Sequence, residues 1–135
     1  LNIDTEIKLQ KTLLELIDKG IINSAHDISD GGIMVSLAEC CIINKENPIG
    51  ANVTIPVKMR EDFSFFSESQ SRVIVSIDPK DKDIFESFCK NNNQYFTLLG
   101  KTEKMDLTIN NYKFDLKELA DIYFNSIAKF MNVKI

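Results

Sequence analysis

The sequence predicts an α/β domain, of the α+β kind, in which helices cover a mixed sheet. Its 135 residues are 44% hydrophobic, which is the size and apolar content of one domain with one core. Apolar residues at helical spacing alternate along the chain with short β-branched runs, a pattern typical of layered helices and strands. We find neither an internal repeat nor a low-complexity linker, so residues 1–135 are expected to form a single domain.

The first part of the chain predicts a helix, a strand and a second helix. The first helix begins at Asp4 and Thr5, which offer capping oxygens, and ends at Gly20. Ile21–Asp27 follows as a short strand. The segment Ile33–Ile43 is apolar enough to predict a largely buried helix.

The middle of the chain predicts two strands and a helix. Alternation over Ala51–Val57 predicts a strand that Pro56 brings to its end. The β-branched run Arg72–Ile77 predicts the clearest strand. A helix then begins at Pro79 and ends near the Asn91–Asn93 turn.

The last part predicts a strand over Phe96–Gly100 and a hairpin over Leu107–Phe114 that turns at Asn110 and Asn111. Asp115 can cap the final helix, in which apolar residues recur at helical spacing as far as Phe130. Residues of the apolar stripes that are expected in the core include Leu13, Leu37 and Ile127.

Composition excludes several function classes. Sixteen basic and 20 acidic residues give a formal charge of −4 without a basic tract, so we expect no nucleic-acid partner. No apolar run approaches the ~20 residues that span a bilayer, and a signal-peptide pattern is lacking, so we expect no membrane partner and a cytoplasmic location.

Cys40, Cys41 and Cys89 lack the spacing of a zinc site and are expected to be free thiols. Because the chain begins with Leu1 and enters a helical pattern at once, we expect a piece excised from a longer protein.

The first chemically informative segment is Ser24–Gly32, where a short apolar run ends and a helix pattern begins. Two adjacent glycines allow a ligand to approach the main chain, and the N-terminus of a helix favours negative charge. The alternative is a tight turn in which Ser29 or Asp30 caps the helix and the glycines only satisfy backbone angles. The candidate binding residues of this segment are His26, Asp27, Ser29, Asp30, Gly31 and Gly32.

The second segment is Phe65–Ser76, in which polar residues and an arginine precede the β-branched strand. A carboxylate, an amide and a guanidinium fall within five positions, directly after phenylalanines that would hold them in place. The alternative is a solvated loop. The candidate binding residues here are Ser67, Glu68, Ser69, Gln70 and Arg72, and Glu39 of the second predicted helix is a candidate partner of Arg72.

His26 is the only histidine, and no nucleophile–histidine–carboxylate spacing is visible, so a structural imidazole is favoured over a general base. Asp27 and Asp30 are candidates to hold Mg²⁺ together with phosphate oxygens, because that ion prefers hard oxygen ligands. Two nearby aspartates are also common at ordinary helix starts, so both interpretations stay open.

These two segments, in this order, resemble the C-terminal domain of the phosphoribosylformylglycinamidine synthases that lack a fused glutaminase. Ala25–Glu39 is the stronger signal, and the resemblance runs through nearly the whole chain. It implies a fold like the C-terminal domain of aminoimidazole ribonucleotide synthetase. It also implies that residues 1–135 are one C-terminal domain of a longer, multidomain enzyme.

The resemblance further implies an ATP-dependent carbon–nitrogen ligase of purine biosynthesis. Such an enzyme binds formylglycinamide ribonucleotide, activates its amide oxygen by phosphoryl transfer from MgATP, and lets glutamine-derived ammonia displace phosphate to give the amidine. The implied cofactors of the full enzyme are ATP and Mg²⁺. The implied partners are the remaining domains, a separate glutaminase, a small accessory subunit and the ribonucleotide substrate.

The family's catalytic histidine and most of its ATP and magnesium residues lie in segments absent from this sequence, so no catalytic residue is predicted and the isolated chain is expected to be inactive. Ser67–Gln70 looks like the pseudo-symmetric copy of a segment that contacts the ribonucleotide, and it lines either the active site or an auxiliary nucleotide site.

Two other functions stay open: another enzyme of the same architecture, such as aminoimidazole ribonucleotide synthetase, or a non-catalytic module that binds an anionic metabolite or a protein. A homodimer formed through a face left exposed is also open.

Overall fold

The computed structural model describes residues 2–57 and 60–131, which contain five α-helices and six strands. The elements in chain order are α1 Ile3–Asp18, β1 Ile22–Asp27, α2 Gly32–Ile42, β2 Gly50–Val53, α3 Glu61–Phe66, β3 Val73–Ile77, a 3-10 turn Pro79–Asp81, α4 Lys82–Asn91, β4 Gly100–Glu103, β5 Leu107–Ile109, β6 Tyr112–Phe114 and α5 Leu116–Phe130.

The strands form two sheets. In the larger sheet the strand order is β4-β2-β5-β6, with β2 parallel to β5 and the other pairs antiparallel. The smaller sheet pairs β1 with β3 in an antiparallel ladder. The predicted class, helices with a mixed sheet, is confirmed.

The ladder between β1 and β3 fixes the position of both chemically informative segments. Its register pairs Ile22 with Ile77 and Asp27 with Val73, with an irregularity near the start of β1. One further backbone hydrogen bond, from the Ile28 amide to the Arg72 carbonyl at 3.0 Å, continues the pairing beyond the ladder. The end of β1 and the start of β3 therefore lie side by side.

Two hydrophobic clusters hold the layers together. The larger one joins α2 to the four-stranded sheet and to the start of α5, and it contains the fully buried Leu107 and Ile109. The smaller one, around Leu16, Ile21 and Cys89, joins α1 to α4. All three cysteines are free, and burial raises the pKa of the Cys41 thiol to about 11, which keeps that thiol protonated at neutral pH.

The ends of three helices follow local chemistry. Asn2, rather than Asp4 or Thr5, caps α1 by accepting a hydrogen bond from the Thr5 amide. Gly20 adopts a positive φ of 66° just after that helix, as predicted for a stop residue. Asp115 caps α5 by accepting from the amides of the second and third helical residues, which confirms the prediction.

Some element predictions were wrong in extent. β2 ends at Val53. Beyond it the Thr54 amide still donates to the Leu99 carbonyl, but the Asn110 side chain then replaces a strand partner by accepting from the Ile55 amide and donating to the Ile55 carbonyl. The strand predicted over Phe96–Gly100 instead begins at Gly100. Before it, the Leu99 carbonyl accepts one bond from the Thr54 amide, and Phe96 packs into the smaller core cluster.

The phenylalanine segment was also interpreted incompletely. Residues 61–66 form the helix α3, of which Phe65 is buried, whereas Phe63 and Phe66 are each 53% exposed. Of the stripe residues expected in the core, Leu37 is buried and Leu13 is half-buried, but Ile127 is 77% exposed. Helical spacing therefore identified the apolar face of α5 without showing where the domain beneath it ends.

No helix in the described ranges 2–57 and 60–131 combines the length and apolar character needed to cross a membrane.

The contrast between Ile109 and Ile127 gives a direct test of the packing. Ile109→Ala should lower the free energy of unfolding by about 2–5 kcal/mol, because it leaves a cavity between the sheet and its helices. Ile127→Ala should change it by less than about 0.5 kcal/mol, because that side chain is exposed. Urea denaturation of both variants provides the measurement, and losses of similar size would contradict the core described here.

Candidate functional site

The two segments singled out from the sequence meet at one end of the β1–β3 ladder. The amide of Gly31, at the start of α2, donates a hydrogen bond of 2.8 Å to Oε1 of Glu68. Together with the bond from the Ile28 amide to the Arg72 carbonyl, this contact closes the turn before α2 onto the loop before β3. Residues 27–32 and residues 67–72 therefore form one continuous polar surface, which we call the polar rim.

A cleft of about 320 Å³ opens between them, with α1 as its third side. Six of the eleven predicted binding residues line it: Asp27, Ser29, Asp30, Glu68, Gln70 and Arg72. The other lining residues are Leu9, Ile28, Ser71 and Val73. Five predicted residues are not among the lining: His26, Gly31, Gly32, Ser67 and Ser69. Whether any of the eleven contacts a ligand stays a prediction.

The paired glycines have a structural reason for their presence. Gly31 and Gly32 adopt φ values of 78° and 67°, in the left-handed region. A Cβ on Gly32 would lie 2.7 Å from the Phe65 carbonyl oxygen, so the backbone of α3 fills the space that a ligand would need. A Cβ on Gly31 would meet Val35 at 2.4 Å. These contacts favour the alternative interpretation, a turn that backbone geometry and packing restrict to glycine.

The N-terminus of α2 is capped by a side chain that is distant in the sequence. Its N-cap residue is Gly31, so neither Ser29 nor Asp30 caps the helix with its side chain. The Glu68 carboxylate takes that place from another segment, where its negative charge is favoured by the helix dipole. Glu68 thus connects the two halves of the rim.

Arg72 closes its own loop rather than standing free. Its Nε donates to the Ser69 carbonyl at 3.1 Å, and its terminal nitrogen donates to the Ser67 carbonyl. Partial burial lowers the pKa of this guanidinium from its usual value. The arginine therefore holds the 67–72 loop in shape. Ser69 contributes its carbonyl, and Ser67 contributes its carbonyl and its hydroxyl oxygen, which lies 3.4 Å from the same terminal nitrogen.

The first helix contributes residues that the sequence did not single out. Ser71, with a positive φ of 62°, donates from its hydroxyl to Oε2 of Glu6 at 2.5 Å, and Leu9 forms part of the cleft wall. Hydrogen bonds from Ser71 and then Gln10 lower the pKa of Glu6. No local signal in the sequence linked α1 to this loop, because 65 positions separate Glu6 from Ser71.

His26 lies beside the rim rather than in it. Its Nε2 lies 3.4 Å from Oε2 of Glu39, and its Nδ1 lies 2.6 Å from the Asp27 carbonyl oxygen. The predicted pairing of Glu39 with Arg72 is therefore wrong, because Glu39 lies against His26 and Arg72 binds its own loop. A histidine held by a carboxylate and a carbonyl agrees with the structural role favoured from the sequence.

The side chains that line the cleft are suited to binding a polar ligand. Three carboxylates, from Asp27, Asp30 and Glu68, line the cleft together with one guanidinium, and Ser29, Gln70 and Ser71 add neutral donors and acceptors. Within residues 2–57 and 60–131 no group of three or more acidic, histidine or cysteine side chains could hold a metal ion. The cleft lining contains neither histidine nor cysteine.

Comparison with known proteins identifies the domain. Residues 3–109 match the family described as "AIR synthase related protein, C-terminal domain". The chain belongs to this family. The match includes the turn before α2, the 67–72 loop and β5, so both sides of the cleft are part of the AIR-synthase-related domain.

Within this family the chain is similar to the phosphoribosylformylglycinamidine synthase subunit PurL of several bacteria. It is 42% identical to the Petrotoga mobilis protein over 123 residues, which is 90% of this chain and 16% of that relative. It is 35% identical to the Alkaliphilus metalliredigens protein, with 97% of this chain and 18% of that relative covered. The chain thus spans less than one fifth of the length of these relatives.

Solved structures confirm the fold of the AIR-synthase-related domain. The structure of Thermotoga maritima PurL complexed with FGAR matches with a TM-score of 0.71 at 20% identity, over 85% of this chain and 21% of that one. The structure of PurLQS from the same organism matches with a TM-score of 0.71 at 21% identity, with the same coverage.

Substitution of two glycines with nearly equal φ separates backbone strain from packing in the turn. Gly20→Ala, with φ 66° and nothing within 4 Å of the new Cβ, should cost about 1–2 kcal/mol of unfolding free energy. Gly32→Ala, with φ 67°, should cost about 1–3 kcal/mol more because the backbone of α3 must move. Urea denaturation measures both, and equal losses would show that α3 does not pack on this turn.

Proposed function

We propose that this chain is the C-terminal module of a PurL-type phosphoribosylformylglycinamidine synthase. The module would belong to a multidomain enzyme that uses ATP and glutamine-derived ammonia to convert formylglycinamide ribonucleotide to its amidine. The similarity to PurL proteins over 90–97% of the chain supports the family of the parent. The bond between the Gly31 amide and the Glu68 carboxylate supports a role for this module in binding, because it joins two polar segments into one cleft.

We further propose that the cleft binds a nucleotide or the ribonucleotide substrate and does not carry out a reaction step. Serine hydroxyls and the Gln70 amide can pair with ribose hydroxyls or base edges, and the open shape admits part of a nucleotide. Neither histidine nor cysteine lines the cleft, so its serine hydroxyls have no histidine base beside them to activate them as nucleophiles. The proposed catalytic groups of the enzyme therefore lie in its other domains.

The charge of the rim favours a metal-bound nucleotide over free phosphate. Asp27, Asp30 and Glu68 outnumber Arg72, whose Nε and one terminal nitrogen already bind its own loop. A bare phosphate would meet net repulsion here. Asp27 and Asp30 supply two carboxylates, which fits Mg²⁺ when nucleotide phosphates complete its coordination. Asp27 and Asp30 would hold the ion at the rim, where it would neutralise phosphate charge.

The remaining parts of the proposal come from the relationship to PurL. The parent enzyme would act in the cytoplasm and receive ammonia from a separate glutaminase assisted by a small accessory subunit. The matching structures of Thermotoga maritima PurL include complexes with ATP, with ADP and with FGAR, which support a nucleotide and a ribonucleotide as the ligands to test.

Calorimetric titration tests the binding role of the cleft. We expect MgADP or formylglycinamide ribonucleotide to bind the 135-residue chain, and Gln70→Ala to weaken that binding about tenfold through the loss of a hydrogen-bonding amide. The matched control is Gln94→Ala, whose amide donates to the Tyr95 carbonyl away from the cleft. Equal affinities in the two variants, or no binding of either ligand, would contradict a ligand site in this cleft.

An activity assay tests whether the reaction takes place in this domain or in the other domains of the enzyme. The 135-residue chain with MgATP, formylglycinamide ribonucleotide and ammonia should release no phosphate above background, since the proposed catalytic groups lie in other domains of the enzyme. Phosphate release coupled to amidine formation by this chain alone would place the chemistry within it.

A further inference from the structure

The final helix, α5, continues beyond the domain that supports it. Leu116 is 7% exposed, and Leu119 and Ala120 pack against the larger core cluster. On the same helical face, Tyr123 and Ile127 follow at spacings of three to four residues, and Ile127 is exposed. The face that packs on the core at the start of α5 is thus the face that is uncovered at its end.

The uncovered part is large and apolar. Tyr123, Ile127, Phe130 and Met131 lie on one side of the helix, and Phe130 is 90% exposed. At 1.5 Å per residue, the segment from 123 to 131 extends about 12 Å. Single exposed apolar residues are ordinary, but a contiguous group of this kind marks an interaction surface. We call these four residues the α5 docking face.

The opposite side of the same segment carries polar and charged side chains that are exposed to solvent. Asp121 accepts hydrogen bonds from Asn125 and from Lys129, one and two turns further along the helix. These pairs satisfy one another and lower the pKa of the Asp121 carboxyl, chiefly through Asn125. The helix is therefore amphipathic over its whole length, although its second half has no core beneath it.

The comparisons show that α5 is shared with longer chains. The match to the AIR-synthase-related domain ends at residue 109, before α5 begins. The alignment with Alkaliphilus metalliredigens PurL covers 97% of the chain, so it includes most of α5, and that relative is more than five times as long. The helix is thus shared with long PurL chains and lies outside the matched part of the domain family.

We propose that the α5 docking face packs against another domain of the same PurL-type polypeptide. This inference rests on the proposed function, because it takes the chain to be one module of that longer enzyme. The expected partner surface is an apolar groove that receives Ile127 and Phe130, with the Asp121–Asn125–Lys129 side left in solvent.

Hydrogen exchange in the full-length polypeptide tests the proposal without any ligand. Amides of residues 122–130 should exchange at least about tenfold more slowly in the full-length protein than in the 135-residue chain, because docking suppresses fraying of the helix end. Equal, rapid exchange in both proteins would overturn the proposal. So would a gene that encodes no further domain.

Paired substitutions identify the side chains involved. In the full-length protein, Ile127→Ser combined with Phe130→Ser should restore rapid exchange over residues 122–130. The control Ile84→Ser removes a similarly exposed isoleucine from α4 and should leave that exchange unchanged. Retained protection in the double variant would overturn the proposal. If the double variant fails to fold, the exchange of the unmodified protein decides alone.

A second copy of the chain is the competing occupant, and light scattering separates it. The 135-residue chain should be monomeric with rapidly exchanging α5 amides. A dimer in which those amides are protected would overturn the intramolecular proposal in favour of self-association. Loss of ligand binding in the cleft would affect only the proposed function, since exchange in α5 is measured in the absence of ligand.

Discussion

The antiparallel pairing of β1 with β3 is the constraint on which the rest of the site depends. Its register sets Asp27 opposite Val73, and the bond from the Ile28 amide to the Arg72 carbonyl carries the pairing past the strand ends. Two segments about 40 residues apart are thereby forced into contact at one end of the ladder. Once they are side by side, the Glu68 carboxylate reaches the free amide at the start of α2, and a cleft forms between them.

Much of the polar chemistry in these segments maintains the shape of the cleft. Arg72 binds the carbonyls of its own loop, Glu68 caps a helix, and Gly32 makes room for the backbone of α3. Residues that are free to meet a ligand are then fewer than the sequence motifs suggest, chiefly Asp27, Ser29, Asp30 and Gln70. Their charge explains why a metal-bound nucleotide suits the rim better than a bare phosphate.

The sequence predicted what depends on local patterns. Helical spacing, the cap at Asp115 and the Asn110–Asn111 turn identified α5 and the β5–β6 hairpin, because each is decided by neighbouring residues. It could not predict that Glu39 lies against His26, that Ser71 binds Glu6, or that Ile127 lies beyond the edge of the core. Those outcomes depend on how distant elements pack, and a single chain carries no local signal for them. The bounds of the short strands β2 and β4 were wrong for the same reason: the Asn110 side chain binds the backbone of Ile55, and Phe96 packs into the smaller core cluster.

The most direct test of the central claim is the amide resonance of Gly31 in nuclear magnetic resonance spectra of the chain, compared between the unmodified protein and Glu68→Ala. If the carboxylate joins the two segments, the Gly31 amide proton should move upfield and exchange faster with solvent in the variant, because it loses a charge-assisted hydrogen bond. An amide of Gly31 whose shift and exchange rate are the same in both proteins would contradict the joined rim, and with it the cleft.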